Sequence, residues 1–396
     1  MSAKGDRGDM RGRGTSQNSG QAEKQGRAAD VPRRRRNRFG QTYTGPTYGA
    51  LDLGTNNCRL LVARPTACGF KVVDAFSRIV RLGEGLSQSK CLSEAAMVRT
   101  IEALKVCTEK LARRNVKRSR LIATQACRVA HNGQEFIDRV YTETGLRIEV
   151  IDQETEARLA VAGSASLIEP DSKRALIFDI GGGSSELMWL SRTPNDCNIE
   201  HWVSLPVGVV TLAEQFDGRD VPLKKFNAMK DVLKPHLHEF ASKIGFDESL
   251  VAHDGHMLGT SGTVTTLAGI CMGLQKYDRN KVDGCWLTDT SIQQVTDHLM
   301  EMNYQDRVAS PCIGPERADL VMAGCAILNS IIEKWPCSRV RVADRGLREG
   351  ILTSLMESDG HKHAAPRPGN AHYAELDKKH PSDQSNKTQE NPTNDR

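Results

Sequence analysis

Two stretches of this chain combine an aspartate, glycines and small polar residues in an order that suits phosphate chemistry. In residues 175–190, ALIFDIGGGSSELMWL, Asp179 precedes the run Gly181–Gly183. An apolar run, a glycine turn and a second apolar run predict a β-hairpin. The turn carries little side chain, so its backbone N–H groups can converge on an anion. Ser184 and Ser185 add hydroxyl donors, and the Asp179 carboxylate could hold a cation beside that anion.

The same order occurs earlier in the chain. Residues 48–62 read YGALDLGTNNCRLLV, and aligning Asp52 with Asp179 gives D-x-G followed by polar turn residues in both stretches. A single glycine turn could equally be an ordinary tight hairpin, but a repeat at this long spacing indicates a duplicated domain half. Two facing hairpins, one from each half, predict a cleft for a phosphorylated substrate.

A third glycine-rich turn, GTSGT, occupies residues 259–263 and leads into an apolar helical stretch. The first N–H groups of a helix have no partner inside the helix and can bind an anion. Alone this signal is weak, because many strand–helix loops look alike. With the two hairpins it predicts a third wall of the anion site.

The remaining elements must position these turns. Strands and helices alternate through both halves, which predicts an α/β fold with helices covering mainly parallel central strands. In the first half the predicted elements are strands at 70–82, 120–124 and 147–151 and helices at 92–113, with Ser93 as N-cap, 133–145 and 154–167. In the second half they are the hairpin, a strand at 200–205, a helix at 221–242, a strand–turn–helix from His256 and a strand with a helix from Arg339.

Composition restricts the class of protein. A length of 396 residues with 38% hydrophobic and 26% charged residues is typical of a two-domain enzyme. No apolar stretch approaches the roughly 20 residues of a membrane span, and no secretory signal opens the chain. The 11 cysteines include no C-x-x-C pair, so neither a zinc site nor a disulfide framework is indicated. A reducing cytoplasm is the expected compartment.

Both ends of the chain are polar and are predicted to be disordered, over residues 1–45 and 357–396. In the first segment Lys and Arg outnumber Asp and Glu by 11 to 4, with a run from Arg33 to Arg36. Such an arm could bind RNA, anionic lipid or another polyanion. A solubilising tail explains the composition equally well.

Several motifs together resemble one family, that of exopolyphosphatases and guanosine pentaphosphate phosphohydrolases (Ppx/GppA). They are, in order, DLGTNNCRLL, ATQACRVAHNG, ETEARLAV, DIGGGSSE, LPVGVVTL, LGTSGTVTTLAG, ERADLVMAG and DRGLREG. The resemblance covers residues 48–356. The chain resembles the short form of the family, which has no additional C-terminal domain. The resemblance implies two ribonuclease H-like lobes of the actin, Hsp70 and sugar kinase superfamily, at 46–167 and 168–356, with a cleft between them. The last helix is expected to return to the first lobe.

The resemblance implies that Glu156, in ETEAR, is the catalytic glutamate that activates or positions the attacking water. Glu154 would face another direction on the same helix and is the weaker candidate. A carboxylate that only favours the helix dipole is the structural alternative for Glu156. Asp179 and Glu186 match carboxylates that the family uses around a divalent cation, and Asp52 is their counterpart in the first hairpin. Mg²⁺ is the expected cation. The structural alternative for Glu186 is an exposed strand residue.

Arg59, in the first hairpin, and Arg317, in ERADLVMAG, match family positions that face the substrate. Arginine suits this role because its planar guanidinium pairs with two phosphate oxygens. Arg317 could instead pair with its acidic neighbours, and Arg128 is expected to be structural. The family more often has serine where this chain has Asn57. The predicted phosphate-binding residues are Gly54, Thr55, Asn56, Asn57, Arg59, Gly181, Gly182, Gly183, Ser184, Ser185, Gly262, Thr263 and Arg317.

Three functions agree with these motifs. The first is removal of terminal orthophosphate from inorganic polyphosphate, which we favour because the short form has no further substrate-recognition domain. The second is the same chemistry on guanosine pentaphosphate. The third is a non-hydrolytic, actin-like nucleotide-binding regulator, against which the two specific glutamates argue. Relatives commonly form dimers, so a homodimer is a further expectation.

Overall fold

Two mixed β-sheets form the framework of the described residues, which are 45–67, 69–193, 196–245 and 255–361 of this computed structural model. The predicted basic arm and polar tail lie outside these residues except at their inner ends, where the last helix continues to Ser358. None of the helices in the described ranges is long and apolar enough to cross a membrane.

The first sheet has five strands, whose central strand is almost entirely buried. The strands are β1 (Tyr48–Leu53), β2 (Asn57–Thr66), β3 (Gly69–Ile79), β4 (Arg118–Ala123) and β5 (Glu149–Val150). Their order is β3-β2-β1-β4-β5, with β1 antiparallel to β2 and parallel to β4. The predicted hairpin is confirmed, whereas the strand predicted at 147–151 shortens to two residues.

The second sheet repeats this arrangement. Its strands are β6 (Arg174–Ile180), β7 (Ser185–Thr193), β8 (Asp196–Leu205), β9 (Gly255–Thr260), β10 (Trp286–Thr288) and β11 (Arg339–Ala343). Their order is β10-β11-β9-β6-β7-β8, with β6 antiparallel to β7 and parallel to β9. The antiparallel edge strand β10 was not predicted, because three residues carry too little pattern.

Thirteen helices are present in the described ranges. Those of the first half are α1 (Leu86–Ser89), α2 (Glu94–Arg113), α3 (Gln125–Val129), α4 (Gly133–Thr144) and α5 (Gln153–Ser164). Those of the second half are α6 (Val209–Phe216), α7 (Leu223–Ile244), α8 (Gly262–Cys271), α9 (Arg279–Val282), α10 (Asp289–Glu301), α11 (Tyr304–Ala309), α12 (Val321–Lys334) and α13 (Leu347–Ser358). The N-cap predicted for α2 is confirmed, since the Ser93 hydroxyl accepts from the Ala96 N–H at 3.3 Å.

We call β1–β5 with α1–α4 the first lobe and β6–β11 with α6–α12 the second lobe. The helices α5 and α13 pack together between the two sheets, and each also contacts the sheet of the other half. α5 contacts β7 and β8, whereas α13 contacts β1 and β2. A Cβ at Gly350 would lie 2.0 Å from the Leu159 carbonyl oxygen, so only glycine permits this close crossing. The result is a two-lobed α/β fold with a shared core at its centre.

Candidate active site

The two hairpin turns meet at a cavity of about 130 Å³ between the lobes. All but one of the residues predicted for the site line it. They are Asp52, Gly54, Thr55, Asn56, Asn57, Arg59, Glu156, Asp179, Gly181, Gly182, Gly183, Ser184, Glu186, Gly262, Thr263 and Arg317. Residues from five separate parts of the chain therefore converge on one volume.

The exception is Ser185, which was predicted to bind phosphate. Its side chain is fully buried, and its hydroxyl donates to the Val207 carbonyl oxygen at 2.7 Å. Ser185 begins strand β7, where successive side chains point to opposite faces of the sheet. The side chain of Ser185 therefore faces the protein interior, and its geometry does not support the predicted role.

The first loop, residues 54–57, is a tight turn closed by a hydrogen bond from the Gly54 N–H to the Asn57 carbonyl oxygen at 2.9 Å. The Asn56 carbonyl accepts from the N–H groups of Val80 and Arg81 at 2.9 and 3.0 Å. The side-chain oxygens of Asn56 and Asn57 are enclosed and have no hydrogen-bond partner among the described residues. This loop therefore offers polar side chains whose hydrogen-bonding capacity is not used by the protein.

The second loop, residues 181–184, has the same closure, from the Gly181 N–H to the Ser184 carbonyl oxygen at 2.9 Å. Helix α6 begins beside it, and the N–H groups of Val209 and Val210 donate to the Gly181 and Gly182 carbonyls at 3.0 and 2.8 Å. Within the described ranges, no backbone carbonyl accepts from the N–H groups of residues 182–184. These N–H groups are therefore available to an anion, while the hydrogen bonds from α6 hold the loop in place.

The third loop begins helix α8. Ser261 has φ of +129°, a conformation that side-chain-bearing residues rarely adopt, and its hydroxyl accepts from the Thr263 N–H at 3.2 Å. A Cβ at Gly262 would lie 3.9 Å from Nη2 of Arg59, so the Arg59 guanidinium reaches this loop. Arg317 donates to the Thr266 hydroxyl at 3.2 Å, which directs its side chain along the same wall. Two guanidinium groups therefore flank the three loops.

Glu156 lies in the first turn of α5 and is only 8% exposed. The Arg128 guanidinium donates to its Oε2 at 3.1 Å and to the Ile151 carbonyl at 2.8 Å, which fixes the carboxylate in place. Burial raises the pKa of Glu156 well above its ordinary value, and the charge of Glu186 adds to the rise while Arg128 opposes it. A carboxylate with a raised pKa is a stronger base, as proton abstraction from water requires.

Glu154 has a different environment, as its position on the helix predicts. It is exposed and pairs with Arg158 one turn along α5, at 2.6 Å. It does not line the cavity. The geometry therefore favours Glu156 over Glu154.

Glu186 is buried, and two hydroxyl groups donate to the same carboxylate oxygen, Oε1. Ser184 does so at 2.7 Å and Ser204, on β8, at 2.8 Å. Burial raises the pKa of Glu186, and these two hydrogen bonds limit the rise. The alternative that Glu186 is an exposed strand residue is therefore wrong.

Asp52 and Asp179 occupy equivalent places, but their cross-strand partners differ. Asp52 is paired with Arg59 in the first hairpin, and Asp179 with Glu186 in the second. Burial raises the pKa of Asp52, and Arg59 opposes the rise. Burial together with the Glu186 charge raises the pKa of Asp179 to about 7. The second hairpin therefore concentrates negative charge where the first balances it.

This charge distribution suits a divalent cation. Neither Asp52 nor Asp179 has a hydrogen-bond partner on its carboxylate within the part of the chain that the structure describes. No group of three His, Cys, Asp or Glu side chains in that part could hold a metal ion alone. Mg²⁺ often uses only one or two carboxylates and completes its shell with water and substrate phosphates. The donor set therefore fits Mg²⁺ bound together with a phosphate.

Some residues of the site were not found from the sequence. The cavity is also lined by Thr124, Gln125, Ser261 and Thr266. Ser204 does not line it, but its hydroxyl donates to the Glu186 carboxylate. Thr124 and Gln125 lie in the quoted motif ATQACR, which was the available signal. Ser204 gave no signal, because its contact depends on the pairing of β7 with β8.

Comparison with known proteins supports the family resemblance of the sequence motifs. A family model described as the Ppx/GppA phosphatase family matches residues 61–359. The chain is similar to the Ppx/GppA family member of Aquifex aeolicus, with 29% identity, a TM-score of 0.66 and coverage of 80% of this chain and 99% of that chain. It is also similar to an exopolyphosphatase-like protein, with 26% identity, a TM-score of 0.70 and coverage of 79% and 99%.

The fold is shared with an exopolyphosphatase from Cytophaga hutchinsonii, at 24% identity, a TM-score of 0.69 and coverage of 80% of this chain and 99% of that chain. The two-lobed α/β architecture predicted from the sequence is thereby confirmed. Because the family model spans most of the chain, the protein belongs to the Ppx/GppA phosphatase family.

Proposed function

We propose that this protein is an exopolyphosphatase, which hydrolyses the terminal phosphoanhydride bond of inorganic polyphosphate and releases orthophosphate. The observation that carries the proposal is the single cavity in which the three loops, two arginines and Glu156 meet. The loops and arginines supply donors for phosphate oxygens, and Glu156 supplies a base. Phosphoryl transfer needs little beyond positioning and charge stabilisation of this kind.

In this mechanism the terminal phosphoryl group binds the free N–H groups of residues 182–184, and Arg59 and Arg317 pair with its oxygens. Glu156 accepts a proton from water as the water oxygen attacks the terminal phosphorus. The bond from that phosphorus to the bridging oxygen breaks, and the electron pair remains on the shortened chain. Arg128 keeps the Glu156 carboxylate directed at the water.

Mg²⁺ would be held by Asp52 and Asp179, with Glu186 close by, and would neutralise charge on the phosphoryl oxygens. The buried carboxylates would then be ionised beside a cation instead of facing one another. The two serine hydroxyls both donate to Oε1 of Glu186 and so fix the orientation of its carboxylate.

Two observations favour polyphosphate over guanosine pentaphosphate. No aromatic side chain lines the cavity within the described ranges, so it offers no ring on which a guanine base could stack. The similar protein at 26% identity is named exopolyphosphatase-like. A linear chain of phosphates needs only donors and positive charge, which the lining supplies.

The test is orthophosphate release with Mg²⁺ from long-chain polyphosphate and from guanosine pentaphosphate in parallel. We expect release from polyphosphate, and a roughly 10²- to 10⁴-fold lower rate for Glu156→Gln because the base is lost. Glu154→Gln is the matched control on the same helix and should retain the wild-type rate. Release only from the nucleotide would transfer the assignment to that substrate. Absence of release from both by folded protein would refute the hydrolase and favour a nucleotide-binding regulator.

A further inference from the structure

A pair of contacts joins the two lobes beside the cavity without lining it. Arg81 follows β3 and places its guanidinium on Asp319 of the second lobe, with Nη1 and Nη2 at 2.9 and 3.0 Å from the two carboxylate oxygens. Nη2 also donates to the Glu316 carbonyl at 3.2 Å. The two side chains are 30% and 21% exposed, so the pair is partly shielded from solvent. Bidentate pairs of this kind are stronger and more directional than ordinary surface pairs.

The second contact between the lobes involves Gly85 and Ser87, which follow Arg81 in the chain. The Glu214 carboxylate on α6 accepts from the Gly85 N–H at 2.8 Å and from the Ser87 hydroxyl at 2.6 Å. Arg81 itself has φ of +47°, which is uncommon for a residue with a side chain. We call the five residues Arg81, Gly85, Ser87, Glu214 and Asp319 the clasp.

On the first-lobe side, the clasp is tied to the first phosphate-binding loop. The N–H groups of Val80 and Arg81 donate to the Asn56 carbonyl, and the Gly83 N–H donates to the Thr55 carbonyl at 2.9 Å. Any displacement of this segment must therefore move the first loop or break these hydrogen bonds.

On the second-lobe side, the clasp is tied to the other two phosphate-binding elements. Asp319 lies two residues after Arg317, which lines the cavity. Glu214 belongs to α6, whose first N–H groups hold the carbonyls of the second loop. The clasp thus connects both loops and Arg317, although none of its members lines the cavity.

We propose that Arg81 and Asp319 are positioning residues, which set the spacing of the two lobes so that both loops and Arg317 reach one phosphate group together. The substrate in this proposal rests on the function proposed above. If the clasped arrangement is the one that binds substrate, weakening it lowers the competent fraction of the protein. The apparent affinity falls by that fraction, while the rate at saturating substrate is retained because substrate restores the arrangement.

The experiment compares Arg81→Gln and Asp319→Asn with wild type in steady-state hydrolysis of polyphosphate. We expect KM to rise about two- to tenfold, with kcat within about twofold of wild type. Adding Glu214→Gln to Arg81→Gln should raise KM further, since a second, separate contact is removed. A variant that is merely misfolded would instead lower kcat and leave KM unchanged.

Arg120→Gln is the matched control. Arg120 makes a bidentate pair with Glu149 at 3.0 Å for both bonds, and its side chain is also 30% exposed. That pair joins β4 to β5 within one sheet, so KM should not change. The exchanged pair R81D with D319R should move KM back toward the wild-type value. Asp adopts positive φ more readily than most residues, which favours the exchange.

Small-angle scattering of the substrate-free protein provides a readout independent of catalysis. Asp319→Asn should increase the radius of gyration relative to wild type and Arg120→Gln. Unchanged KM and unchanged scattering in both single variants would overturn the proposal. Absence of hydrolysis by wild type would refute the proposed function alone, and scattering would then decide the role of the clasp.

Discussion

The two loops proposed to bind phosphate, residues 54–57 and 181–184, share one backbone closure but differ in their side chains. Each is a four-residue turn closed at 2.9 Å from its first N–H to its last carbonyl. The first carries Thr55 and Asn56 where the second carries Gly182 and Gly183. A Cβ at Gly182 would lie 3.1 Å from the Thr55 Cβ and 3.2 Å from the Asn56 Cβ. One loop therefore supplies side chains, and the other supplies backbone N–H groups and the space for them.

The two hairpins also differ in the residue that lies across from their equivalent aspartates, Asp52 and Asp179. Arg59 faces Asp52, whereas Glu186 faces Asp179. The same structural position thus holds a cation in one half and an anion in the other. A duplicated framework has in this way become an asymmetric site, with an aspartate–arginine pair in one half and two carboxylates in the other. Four substitutions test this contrast.

The largest effect is expected for Glu186→Gln, which removes the carboxylate specific to the second hairpin. We expect phosphate release to fall roughly 10²- to 10⁴-fold, because the site loses a charged group beside the water and the cation. Steady-state rates at saturating Mg²⁺ measure this. Glu200→Gln, on the neighbouring strand and paired with Arg174 at the surface, is the control and should retain activity. Equal rates for both variants would refute a role for Glu186.

Asp179→Asn should stabilise the metal-free protein at pH 8. A carboxyl whose pKa is higher in the folded than in the unfolded state makes folding less favourable as pH rises between the two values. For Asp179 this window runs from its ordinary pKa near 4 to about 7. The cost at pH 8 amounts to at most about 4 kcal/mol, which Asn would remove.

Urea unfolding in EDTA at pH 8 and pH 5 measures this effect. The gain from Asp179→Asn should shrink at the lower pH and on adding Mg²⁺ to both proteins. Asp52→Asn is the comparison and should gain less, because Arg59 opposes the rise in the pKa of Asp52. A variant at Asp179 no more stable than wild type at pH 8 would contradict the charge contrast.

Arg59→Gln should weaken polyphosphate binding, because one bidentate phosphate partner is lost. A hydrogen bond to a charged group contributes about 1.5–3 kcal/mol, which corresponds to a roughly ten- to hundredfold loss in kcat/KM. Arg59→Lys should recover part of this, since it keeps the charge but not the fork. Arg64→Gln, on the same strand and bonded to Thr47, should leave kcat/KM unchanged. The prediction fails if Arg59→Gln behaves like that control.

The smallest effect is the difference in stability between alanine substitutions at Gly181 and Gly54, the first glycines of the two loops. A Cβ at Gly181 would lie 2.8 Å from the Ser184 carbonyl oxygen, whereas one at Gly54 would lie 3.6 Å from the Asn57 carbonyl oxygen. We expect Gly181→Ala to lower the free energy of unfolding by about 1–3 kcal/mol and Gly54→Ala to change it by less than about 1 kcal/mol. Thermal unfolding of the two variants decides this, and equal losses would show that the loops are not differently crowded.

Local patterns allowed much of the fold to be predicted. The two hairpins, the capped helix after Ser93 and the strand–turn–helix at residues 255–271 depend on neighbouring residues. The short helix α3 and helix α6 were missed, because their motifs, ATQACRVAHNG and LPVGVVTL, were used only for the family resemblance. Strand β5 was predicted too long, because its pattern of apolar residues continues beyond its pairing with β4.

The sequence by itself determined which chemistry is available, because glycine turns, aspartates and arginines act through their types and local spacing. Only the tertiary structure decided which of them meet. Strand pairing placed Arg59 and Glu186 in equivalent positions, joined Ser204 to Glu186 and turned Ser185 away from the cavity. The crossing of α5 with α13 set the place of Glu156. These contacts join residues far apart in the chain, and their energies depend on packing that no local pattern encodes.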